Sequence, residues 1–213
     1  MRVTAQKKQE TRRQILEATS NLLQEKGFDQ TTTRDIAAAA RVAAGTVFNY
    51  FASKEALVVA LVAEALDDAA EAFETRLRGD ESLDEALFAH VAVGLRHLGP
   101  HRPYVGRVLE VASSPLATSG ACPQAEQIRA EHLEAVGRLI GTHGGKNAAS
   151  VSFVTMHLYW TLYLGVLAFW SSDESPRQED TLVVLDQAMR MFAASLADAR
   201  KIDEEVTDVT ENR

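Results

Sequence analysis

Cysteine is all but missing from this 213-residue sequence: Cys122 stands alone, so no internal disulfide can form and a reducing compartment is expected. The catalytic signatures are missing too. No His-Glu-x-x-His, Gly-x-Ser-x-Gly, Cys-x-x-Cys or glycine-rich phosphate loop occurs, which removes the readable routes to a metalloprotease, a serine hydrolase, a dithiol enzyme or a nucleotide-binding enzyme. There is no extended polar/apolar alternation and no repeat of fixed period, so neither a sheet nor a solenoid is expected. The opening MRVTAQKKQE has no apolar stretch behind its basic residues, so no secretory signal is expected and the cytoplasm is the expected compartment.

Net positive charge is also lacking. The chain carries a formal charge of -8, which argues against a general nucleic-acid coat protein. The average conceals two regions of opposite sign. Residues 1–54 hold nine Lys or Arg against five Asp or Glu, and the remainder holds 13 against 25. Binding to a polyanion is driven by local positive charge and counterion release, so the basic head is the only plausible DNA-contacting surface.

What the sequence has in quantity is helical periodicity. Ile15, Ala18, Thr19, Leu22 and Leu23 share one face, and Gly27 follows as a left-handed stop. Thr32 precedes Asp35 by three residues, a capping-box start for a short helix through Ala40. Arg41 to Ala44 then makes a brief connection to Gly45 to Phe51, where Val47, Tyr50 and Phe51 fall on one face. Two short helices so joined read as a helix-turn-helix. Ser53 is a suitable N-cap for a long fourth helix with Glu55 in its first turn.

Further helical runs are punctuated by Gly79-Asp80, Gly99-Pro100, Ser113 to Pro123, Gly141 to Gly145 and Ser171 to Pro176, giving about nine helices. The expected fold is all-α, with a three-helix head over residues 1–54, a helical body over 55–200, and a disordered acidic tail over 201–213. Val151 to Trp170 is apolar for nearly a membrane span, but Ser152, Thr155, His157 and Thr161 interrupt it and its flanks lack basic residues. Burial against its own domain and a partner subunit is expected instead, with no membrane.

Thr32-Thr33-Arg34-Asp35-Ile36-Ala37, followed by GTVFNYFASKEAL from Gly45 to Leu57, resembles the DNA-binding head of TetR-family repressors. The resemblance covers about the first quarter of the chain, matching at Gly45, Thr46, Phe48, Tyr50, Phe51, Ser53, Lys54 and Glu55. Asn49 and Tyr50 stand where Tyr-His is commoner. The resemblance implies a homodimer on a palindromic DNA operator, a C-terminal domain that takes a small-molecule effector, and a four-helix dimer interface. The two helices that would build it run from about 148 to 170 and 178 to 199.

Side-chain chemistry gives each head residue a role. Thr33 stands with Arg34 at the start of the preceding helix, and the Arg34 guanidinium can grip guanine bidentately. Gly45 lets the backbone approach the duplex, and the Thr46 hydroxyl reaches a phosphate or a base edge. Phe48 suits a thymine methyl and Asn49 an adenine or a phosphate, while Tyr50 and Lys54 suit phosphate oxygens. Val47 and Phe51 are expected to be core. In the body, Phe88, Tyr104, Phe153, Met156, Trp160 and Tyr163 are the candidates to line an effector cavity. His90, His97, His101 and His157 suggest a metal, but Gly99-Pro100 separates His97 from His101, and neither metal nor cofactor is expected. A ligand-independent activator or architectural factor, or an all-α enzyme, remains the alternative.

Overall fold

The computed structural model describes residues 4–106, 123–144 and 152–211, with side chains in the last stretch described to residue 196. Cys122, the Ser113 to Pro123 punctuation apart from Pro123 itself, and the expected helix start near residue 148 lie outside the described residues. Among the described residues every long element is a helix and none is a strand. The helices are α1 (Ala5–Gln30), α2 (Thr33–Ala39), α3 (Ala44–Tyr50), α4 (Lys54–Glu74), α5 (Leu83–Leu98), α6 (Pro123–His143), α7 (Phe153–Ser172) and α8 (Glu179–Glu211). Gly27 takes a φ of 77° within α1, so the helix kinks there and continues to Gln30. Helix α8 runs to Glu211, into the segment expected to be a disordered tail. Ile202, Val206 and Val209 continue the helical spacing there.

The chain forms two compact units. The first comprises residues 1–67 and 97–127; the second comprises 68–96 and 128–213. The expectation of a boundary after residue 54 therefore differs from the observed division, for a packing reason. Leu57, Val58, Ala60 and Leu61 of α4 join Ile15, Leu16, Leu23, Ile36, Val47 and Phe51 in one buried cluster, and Tyr104 is buried in the same cluster. Removing that apolar surface from water at roughly 25 cal/mol per Å2 ties the first turns of α4 and the residue 104 region to the head.

In the second unit, α7 and α8 pack against one another. Helix α7 has a mean hydropathy of 1.3 and is long and apolar enough to cross a bilayer by length and composition. Tyr159, Tyr163, Val166, Leu167 and Trp170 form its buried face. The corner before α8 is fixed by Asp173, whose carboxylate accepts from the Thr181 hydroxyl at 2.6 Å and the Thr181 and Ser175 amides at 3.0 and 2.8 Å. Those donors, the Thr181 hydroxyl first, hold the Asp173 carboxyl far below its ordinary value.

Candidate nucleic-acid interface

Helix α2 starts with a complete capping box: the Asp35 amide donates to Thr32 Oγ1 at 3.2 Å and the Thr32 amide to Asp35 Oδ2 at 3.1 Å. It ends in a Schellman motif, with the Val42 amide donating to the Ala37 carbonyl at 2.9 Å and the Arg41 amide to Ala38 at 3.2 Å. Arg41 occupies the left-handed position, at a φ of 55°, where glycine is usual. This compact turn delivers the chain to α3. Helix α2 is therefore fixed at both ends by local backbone satisfaction, and the angle to α3 is set by the turn.

Helix α3 has one buried and one open face. Val47, and Phe51 just beyond the helix, are buried in the core, as expected, and Tyr50 is half-buried against the same cluster. On the other side, Gly45 and Asn49 are exposed, Thr46 is half-buried and Phe48 is 53% exposed. A Cβ on Gly45 would meet nothing within 4 Å, so packing within the protein does not demand glycine there. In the first turn of α2, Thr33 is half-buried and Arg34 is exposed. The structure thus places the head candidates other than Lys54 on two consecutive short helices. Arg41, left as part of the connection by sequence reasoning, adds an exposed cation on the turn between them.

Lys54 has a further role that sequence reasoning missed. Its ammonium donates to the Phe28 carbonyl at 2.7 Å and the Thr31 carbonyl at 3.0 Å, and lies 4.0 Å from the centre of the Phe28 ring. An ammonium has three donors, so at most one is left for a phosphate. Thr31 reinforces the same bend, donating from its hydroxyl to Gly27 at 2.8 Å and Leu22 at 3.2 Å. The start of α4 is capped by Ser53 Oγ, which accepts from the Ala56 amide at 3.2 Å. Arg12 pairs with Glu64 and lies 5.6 Å from the centre of the Phe51 ring, bracing α1 against α4.

In the second unit, Trp160 and Tyr163 come together, with ring centres 5.4 Å apart, around the imidazole of His132. Phe88 and Met156 are half-buried. Phe153 is 81% exposed, and Tyr104 belongs to the core of the first unit, where its hydroxyl meets His101 Nδ1. The structure therefore gathers two of the six cavity candidates and leaves Phe153 and Tyr104 elsewhere. His132 and Tyr159, which sequence reasoning passed over, are part of the gathered cluster. Among the described residues no group of three or more His, Cys, Asp or Glu side chains is placed to hold a metal.

A basic head built on two short helices joined by a tight turn, with an open polar face, defines a helix-turn-helix DNA-binding protein. The chain belongs to the TetR family: the pattern of bacterial regulatory proteins, tetR family, matches residues 15–61, and that of the tetracyclin repressor-like C-terminal domain matches residues 87–211. The family is one of bacterial regulatory proteins. A stretch of 85 residues is 39% identical to the HTH-type transcriptional regulator TtgR of Pseudomonas putida, covering 40% of this chain and 39% of TtgR. A stretch of 67 residues is 39% identical to the HTH-type transcriptional regulator YvdT of Bacillus subtilis, covering 32% of this chain and 34% of YvdT. The chain thus spans between a third and two fifths of the length of these curated relatives.

Solved structures share the fold over most of the chain. A TetR transcriptional regulator from Rhodococcus sp. RHA1 superposes with a TM-score of 0.65 at 20% identity, over 85% of this chain and 96% of the other. Thermus thermophilus FadR, a TetR-family repressor solved with lauroyl-CoA, gives 0.66 at 20% identity, over 85% and 92%.

Proposed function

We propose that this regulator is a cytoplasmic homodimeric repressor, without enzymatic activity, released from a palindromic operator by a small, largely apolar effector. Its open α3 face carries the reading: Gly45, Thr46, Phe48 and Asn49 stay accessible while Val47 and Phe51 anchor the helix from behind. In this reading Arg34, Phe48 and Asn49 read base edges in the major groove, and Thr33, Thr46 and Tyr50 fix the register on phosphates. Lys54 supports the head from within and offers its remaining donor to a phosphate.

Dimerisation is supported by apolar surface left open on α7 and α8. Val154, Leu158 and Phe169 lie at helical spacing on one face of α7, and Val183, 62% exposed, and Met191, 67% exposed, are open apolar positions on α8. Exposed large apolar side chains gathered on two packed helices are what an association surface would cover. The effector reading draws support from the aromatic cluster of α7. FadR in complex with lauroyl-CoA supports it further, as a protein of this fold whose ligand includes an apolar acyl chain. Occupation of the second unit would change the spacing of the two heads, so release is a coupling free energy between two sites.

Sedimentation velocity of the free protein and of its operator complex tests the assembly. One dimer on two half-sites about one helical turn apart, roughly 34 Å, is the expected result. A single chain seated on one half-site contradicts it. Operator affinity that stays unchanged when a confirmed effector saturates the protein contradicts release.

A further inference from the structure

The second unit contains a pair of histidines that neither the DNA-binding head nor the dimer surface uses. His90 of α5 and His132 of α6 lie with ring centres 5.0 Å apart. His132 continues the stack onto Tyr163, 4.2 Å away, and Tyr159, 5.7 Å away, and shares a 3.0 Å hydrogen bond between its Nε2 and the Tyr159 hydroxyl. Phe73 closes over His90 edge-on at 5.0 Å, and Trp160 meets His132 edge-on at 6.0 Å, its own ring capped by the Arg129 guanidinium at 5.3 Å. Within this cage, both ring nitrogens of His90 are closed to water and have no hydrogen-bond partner.

An unpaired buried donor or acceptor costs about 1–3 kcal/mol, and buried polar side chains are otherwise almost always satisfied. Burial holds both imidazoles in the neutral form, with the His90 pKa lowered to about 4 and that of His132 to about 3. A neutral imidazole presents one N–H donor and one lone-pair acceptor. The complementary group is one that both accepts and donates without carrying charge, which a hydroxyl does. The surrounding rings favour a flat aromatic body.

We propose that His90 is the polar anchor of the effector site, that the Phe73–His90–His132–Tyr163 stack parts to admit the effector, and that the effector class is an uncharged aromatic molecule bearing a hydroxyl group. This rests on the effector-released reading above and adds to it the anchoring residue and the ligand chemistry. A cationic ligand is disfavoured because the cage presents no carboxylate among these contacts. At His90 and His132 a carboxylate would meet neutral imidazoles, the guanidinium of this cage, Arg129, being stacked on Trp160.

The test titrates the full-length protein by calorimetry with 4-propylphenol, propylbenzene and 4-propylbenzoate, with the histidine ring nitrogens followed by 15N NMR. The phenol is expected to bind about tenfold more tightly than propylbenzene and benzoate, and to shift the His90 ring resonances. His90→Phe is expected to equalise the phenol and the arene while keeping arene binding, and His90→Gln to retain part of the preference. Equal affinities in the native protein, no binding of the phenol, or a phenol shift that leaves the His90 ring untouched overturns the proposal. Operator affinity is measured in the same samples. A phenol anchored on His90 that leaves operator binding unchanged supports the anchor and counts against release. Release by another ligand whose affinity is the same in His90→Phe overturns the anchor and leaves release standing.

Discussion

The Lys54 ammonium caps the carbonyl of Phe28 at 2.7 Å while lying 4.0 Å from the centre of the same residue's ring, so one side chain closes the end of the first helix against the start of the fourth. The contact joins residues 26 positions apart. It follows that Lys54→Met leaves two carbonyls without their charged donor and should lower stability by about 1–3 kcal/mol in urea unfolding. The salt slope of DNA binding should change by less than one unit. A full unit of slope with no loss of stability would mean that the ammonium leaves the bend and sits on a phosphate.

Gly45 separates the needs of the fold from those of the DNA. Since a Cβ there meets nothing within 4 Å, Gly45→Ala should hold or raise stability by about 0.5–1 kcal/mol through better helix propensity. The same variant should bind operator more weakly. Undiminished operator affinity would remove Gly45 from the interface.

Arg34→Ala and Phe48→Ala should flatten base preference more than they reduce total affinity, each altering discrimination by about 1–3 kcal/mol at its own base pair. Competition assays with single-base operator variants provide the measurement. An equal loss on every sequence would turn both residues into phosphate contacts or packing.

The buried histidines give stability a defined pH dependence. His90 and His132 are neutral in the folded chain down to about 4 and about 3, because burial penalises their charged forms, whereas an exposed histidine takes up its proton near 6.5. The unfolded chain therefore binds more protons below 6.5, and the folded state loses stability as pH falls from there toward 4 and then 3. Unfolding midpoints measured between pH 7.5 and 4.5 should decline, and His90→Phe should flatten the decline. An unchanged slope in that variant would assign the acid sensitivity to other groups.

How much of this was legible from the residues depends on the distance over which each feature is built. The Thr32–Asp35 capping box, the Ser53 cap and the buried positions of Val47 and Phe51 are set within one or two turns, and the sequence pattern locates them. The Lys54 bridge and the His90–His132 stack join different helices, so no local period announces them. Tyr104 is expected among the effector contacts for its aromatic ring and polar tip. It is buried with Ile15 and Leu57, since the helix break at Gly99-Pro100 returns the chain to the head. Phe153 shows the same limit in reverse: aromatic character marks it for a cavity, yet at the first turn of α7 it faces solvent.

The most direct measurement is selection of bound duplexes from random DNA by the purified protein, followed by a salt titration on the sequence that wins. Enrichment of a palindrome with half-sites about one helical turn apart, and a steep fall of affinity with salt, is the predicted result. Enrichment of no sequence at any salt concentration would contradict the account.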